Sequence, residues 1–116
     1  MITAEAVTQG QAAYQATTGK FGIADANAAG KQQFRGIFMR TAAAGQATDL
    51  CIYGFLSGFT VSGLNADVIL YLSDTAGALA DAAGTMTVNA GRVVALTDGS
   101  LTKVVFIQAD WLRAWS

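Results

Sequence analysis

The chain alternates short apolar runs with breaks rich in glycine and small polar residues. Most runs carry the two-residue period of a strand. The clearest lies within residues 63–97. Val68, Leu70 and Leu72 fall on one strand face, and Asp67, Ile69 and Tyr71 on the other. Both faces are largely apolar, which predicts a central strand. Ser73-Asp74-Thr75-Ala76-Gly77 is a tight-turn signal: Asp74 can bond backbone two residues on, and Gly77 suits a left-handed conformation. Leu79 to Ala83 tolerates helix but is hemmed in by Gly77 and Gly84. Gly91 to Thr97 is a further strand, Asp98-Gly99 a hairpin signal, and Lys103 to Gln108 a strand pairing back across it.

The first half repeats the style. Gln11 to Gln15, Phe21 to Ile23 and Phe34 to Arg40 read as strands, with a turn at Thr17-Thr18-Gly19-Lys20. Gly36 marks a bulge or a close backbone approach. Gln46 to Val61 gives two strand-like pieces split by glycine, DLCIY and FLSGFTV. Gly54 and Gly58 are expected to bend the chain around a barrel corner. The chain has no proline, so its turns rest on Gly, Asn and Asp. About eight short strands at this spacing predict an all-β sandwich or small barrel. Residues 1–10 read as an N-terminal arm, extended or forming a first edge strand, and residues 11–116 as a single β domain, with a helical or extended C-terminal tail. An ordered arm is expected to be held by a neighbouring subunit.

Two segments echo each other. Tyr14 corresponds to Tyr71, Gly19 to Gly77, Gly36 to Gly91, and the turn ending at Gly45 to that ending at Gly99. Two similar β-units are the expectation. Two copies are too few for a solenoid.

Composition narrows the chemistry. Of 116 residues, 53% are hydrophobic and only 13% charged, so part of the surface is expected to be covered by another chain. The seven Lys and Arg are scattered and net charge is −1, which argues against nucleic acid. No apolar stretch reaches about 18 residues, so no membrane span is expected. No signal-peptide pattern opens the chain. There is no histidine and one cysteine, Cys51, in an apolar run. Histidine-based triads and a four-ligand zinc site are therefore unavailable. Glu5 is the only glutamate, and Asp74, Asp81 and Asp98 look like turn residues. No phosphate-binding glycine motif is present. No enzymatic activity, cofactor or metal is expected. The candidate contact residues are instead apolar: Ile2 and Val7 in the arm, Phe55 and Phe59 in the glycine-rich stretch, and Trp111, Leu112 and Trp115 in the tail. The tail spacing is that of one face of a helical turn.

The frame QGQAAYQATTGKFGIADANAAGKQQFRGI, with YLSDTAGAL followed by GRVV, resembles the small capsid decoration, or cement, proteins of tailed phages. The resemblance spans about residues 8–115. It implies a β-rich homo-oligomer, trimeric before dimeric, made in the host cytoplasm. Such a protein binds the outer surface of the virion head, bridges neighbouring major capsid protein subunits and stabilises the shell. No catalytic residue comes with it. The alternatives are another virion subunit (tail tube, neck or fibre base) or a displayed carbohydrate- or receptor-binding module. Exposed aromatic platforms would favour the last, and Tyr14, Tyr53 and Tyr71 are the tyrosines that could serve.

Overall fold

Strand pairing follows the echo in the sequence. The structure is a computed structural model that describes residues 1–96 and 103–116. In chain order its strands are β1 (Ala12–Gln15), β2 (Phe21–Ile23), β3 (Gly36–Phe38), β4 (Leu50–Cys51), β5 (Tyr53–Leu56), β6 (Ile69–Leu72), β7 (Leu79–Ala80), β8 (Asn89–Ala95) and β9 (Lys103–Gln108). All pairs are antiparallel. One sheet has the order β2-β1-β3-β4 and the other β7-β6-β8-β9-β5. The first four positions of the two sheets are thus the same arrangement, and β5 is an addition to the second.

The match extends to register. Ala12 pairs with Ile37 and Ala13 with Gly36; Ile69 pairs with Arg92 and Leu70 with Gly91. Each echoed tyrosine therefore directly follows the residue that faces the echoed glycine. Gly19 and Gly77 both have positive φ, 88° and 79°, as their turns require. The hairpin signal at Asp98-Gly99 lies outside the described residues.

The glycines of the two third strands have one job. A Cβ on Gly36 would lie 2.8 Å from the Cys51 carbonyl oxygen, and one on Gly91 would collide with that of Phe106. In each unit the third strand comes too close to the fourth for any side chain. The expectation of close backbone approach at Gly36 holds, and its equivalent has the same cause.

The two sheets face each other as a sandwich and do not close into a barrel. Ala12 and Ile37 from the first, with Phe34 just ahead of β3, meet Leu70, Leu72, Val93, Val105 and Ile107 from the second. Alternation decides which residues enter: Leu70 and Leu72 are buried while Ile69 and Tyr71 are half-buried. A smaller cluster of Val7, Ala13, Phe21 and Phe38 lies apart from this one, with Ala13 the neighbour of Ala12 on β1. Successive strand residues point to opposite faces. The first sheet is therefore buried on both sides.

Three expectations need correcting. The break between β4 and β5 falls at Ile52, with Gly54 inside β5, and residues 57–61 form no strand. Leu79 and Ala80 form a strand and not a helical turn. Residues 1–10 are not a free arm awaiting a neighbour. Thr3 bridges Phe21, Ile2 bridges Ala47 and Val7 bridges Ala42 within this chain. Thr3 is wholly buried, its hydroxyl donating to the Ala43 carbonyl at 2.7 Å.

Gly91→Ala is expected to cost about 3 kcal/mol in urea unfolding, because the Phe106 backbone has no room to yield. Gly63→Ala, with open space around it, should change stability by less than about 0.5 kcal/mol.

Candidate functional site

Among the described residues no cluster of His, Cys, Asp or Glu is spaced to hold a metal ion. Two adjoining clefts of about 260 and 520 Å³ share Gly10, Phe59 and Thr60. The smaller is lined by Val61, Leu64, Leu70 and Leu79, and neither is lined by an acid, a base or a thiol. They offer shape, apolar contact and the neutral polar groups of Gln9, Gln11, Ser57 and Thr60. Cys51 is free and half-buried against the core. The surface also presents several large apolar side chains.

The candidate contact residues divide into three groups. Val7 and Trp115 are 2% and 6% exposed and belong to the chain's own cores, so neither is a surface contact. Phe59 is half-buried against the main core, where it borders both clefts. Ile2, Phe55, Trp111 and Leu112 are exposed, at 43%, 66%, 39% and 100%.

The tail places two of these. Residues 109–116 contain a turn at Trp111-Leu112 and no helix. Residues 32–35 hold the tail through its backbone. The Arg35 guanidinium donates to the carbonyls of Asp110 and Arg113, at 3.1 and 3.2 Å. Gln32 and Gln33 both donate to the Trp115 carbonyl, and Gln33 accepts from the Trp115 N–H at 2.7 Å. The Asp110 carbonyl, which a helical turn would bond to the Ala114 N–H, is taken instead by Arg35. Trp111 donates its indole N–H to the Arg35 carbonyl at 2.8 Å and packs near Phe21, with ring centroids 6.3 Å apart.

Trp115 anchors the end. A Trp buries ~150–250 Å², or roughly 4–6 kcal/mol as an upper bound at ~25 cal/mol/Å². Its indole N–H has no partner among the described residues, which costs about 1–3 kcal/mol. Burial outweighs that loss. The Arg113 guanidinium lies 4.1 Å from its ring centroid and covers it. The result is a braced turn with Leu112 fully exposed at its tip.

A second apolar surface lies on β5, which sequence reasoning identified only in part. Tyr53 and Phe55 are 69% and 66% exposed. Both pack against Phe106 of β9, each with ring centroids 5.2 Å apart. The signal was the alternation Tyr53-Gly54-Phe55-Leu56, in which every second residue is aromatic. Tyr53, one of the tyrosines that could serve as an aromatic platform, lies in β5 with its side chain exposed. Beside Phe106 is a shallow depression of about 170 Å³ lined by Ile69, Asn89, Arg92 and Gln108.

Trp115→Ala is expected to lower unfolding stability by about 3–5 kcal/mol. Leu112→Ala should leave it within about 0.5 kcal/mol. Comparison of the chain with family models, with curated proteins and with solved structures gives no match.

Proposed function

We propose that this chain is a structural protein of a phage virion. It binds the outer surface of the head, bridges neighbouring major capsid subunits and stabilises the shell. It acts by contact and not by catalysis. The observation that carries the reading is the braced tail turn. Leu112 is wholly exposed, yet its backbone is fixed by Arg35 and by the anchored Trp115. A leucine held out on a rigid turn loses little entropy on docking, so most of its burial becomes binding energy. Trp111 beside it widens the contact. The resemblance of the sequence to capsid decoration proteins supplies the identity of the partner. Many such contacts repeated over a shell give avidity without one strong site.

A displayed carbohydrate- or receptor-binding module is the second reading, favoured by Tyr53 beside the polar groups Asn89, Arg92 and Gln108. Size weighs against it. The depression of about 170 Å³ is below the ~300–1,000 Å³ of ordinary ligand pockets, and Arg92 already donates to the Asp67 carbonyl at 2.7 Å.

Purified protein added to heads that lack it should occupy surface sites stoichiometrically and raise their resistance to heat. Leu112→Asp should fold normally and lose at least about tenfold in head affinity, since burying an unpaired carboxylate is unfavourable. Wild-type protein that leaves such heads bare would sink the reading.

A further inference from the structure

We propose that β5 is a self-pairing edge, joining two copies of this chain across a twofold axis at Gly54 into one continuous antiparallel sheet.

The other sheet edges are short or covered. β4 and β7 have two residues each. β2 is covered by the N-terminal segment: Ala4 N–H donates to the Phe21 carbonyl, Phe21 N–H to that of Ile2, and Ile23 N–H to the Glu5 carboxylate. β5 has four residues and, among the described residues, pairs only with β9 on its inner side and has none of the usual protection. Edge strands are blunted by lysine, proline, bulges or cover. Residues 50–66 contain no charged residue and no proline, and the β5–β9 register runs without a shift.

The ladder dictates what the open edge offers. Ala109 N–H donates to the Ile52 carbonyl at 2.8 Å. That bond is in register with the pairs Tyr53–Gln108, Gly54–Ile107, Phe55–Phe106 and Leu56–Val105. Antiparallel pairs alternate between bonded and non-bonded. Gly54 and Leu56 therefore bond inward to β9, while the N–H and C=O groups of Tyr53 and Phe55 point out. None of those outward groups has a further backbone partner among the described residues.

This pattern is complementary to itself. With the axis at Gly54, Tyr53 of one copy exchanges both backbone bonds with Phe55 of the second, and the reverse. Gly54 faces Gly54 as a non-bonded pair, where Cα atoms approach to about 4.5 Å. Its φ of 140° already requires glycine there. Each Tyr53 side chain then lies opposite a Phe55 ring on one face, the favoured aromatic cross-strand pairing. No like charges meet, because the edge has none. A strand of different sequence would match the outward bonds, but nothing in an uncharged edge would select it. A second copy supplies the matching aromatics as well. Such pairing is closed at two copies, whereas the sequence resemblance implied trimers first. It uses none of the residues of the Leu112 turn, so it stands whether or not the chain binds a phage head.

The test is light scattering across a dilution series, together with amide hydrogen exchange on the full chain. The wild type should pass from two copies to one on dilution. Tyr53 and Phe55 amides should be protected only in the dimer, and Gly54 and Leu56 amides in both forms. Tyr53→Lys with Phe55→Lys places two introduced lysines opposite each other and should weaken dimerisation more than tenfold. Tyr53→Lys with Phe55→Glu removes the same rings but pairs opposite charges, and should recover much of that loss. Both substitutions are on exposed side chains, and circular dichroism checks that each variant folds. A wild type that stays monomeric at every concentration overturns the proposal. So does a dimer whose Tyr53 and Phe55 amides exchange freely, or protection that arises only when another protein is added. Equal dimerisation by the two double variants overturns the assigned register.

Discussion

The sandwich depends on one steric constraint used twice. In each unit the third strand passes so close to the fourth that only glycine fits, at Gly36 against the Cys51 carbonyl and at Gly91 against that of Phe106. Close approach sets the position of the fourth strand, and the two fourth strands then have different fates. β4 is only two residues long, because the chain leaves the first sheet at Ile52 and enters the second as β5. β9 is six residues long and accepts β5 along its outer side. Two units of one strand order are thus joined by a segment that changes sheets. That change creates the long edge on which Tyr53 and Phe55 are displayed.

The chain's own terminal segments complete the fold. Residues 1–8 connect β2 to the loop at residues 42–47 and bury Thr3 and Val7 beneath them. The tail crosses residues 32–35 and inserts Trp115 into the main core. Once these segments are in place, large apolar side chains still stand out at Phe55 and Tyr53 and at Trp111 and Leu112. The low charge of the sequence is explained only in part by Ala and Gly. The remainder includes exposed apolar side chains at Met1, Ile2, Ile52 and Leu96 as well as at Tyr53, Phe55, Trp111 and Leu112.

Strands were legible in the sequence because alternation and glycine turns are local signals. The echo of Tyr14 and Gly36 in Tyr71 and Gly91 even carried the register of both units. The break at Ile52 was not legible: an apolar run encodes burial but not which sheet receives it. The tail misled for a different reason. The spacing of Trp111, Leu112 and Trp115 suits a helix, but a single turn is marginal alone, and Arg35, Gln32 and Gln33 claim its carbonyls from far along the chain. The N-terminal segment is held by bonds to residues some 40 positions away, for which Thr3 and Val7 give no local sign. Of the candidate contact residues, Ile2, Phe55, Trp111 and Leu112 stand exposed, while Val7 and Trp115 were drawn into the interior by the same hydrophobicity that nominated them.

The proposal that this chain binds a phage head rests on the braced Leu112 turn and on the resemblance of the sequence to capsid decoration proteins. The most direct measurement is electron cryomicroscopy of phage heads incubated with the purified protein. The account predicts density for this sandwich on the outside of the shell, between neighbouring capsid subunits, with the Leu112 turn directed at the capsid. Density confined to the neck or tail, or sandwiches on the shell with the Leu112 turn facing solvent, would contradict it.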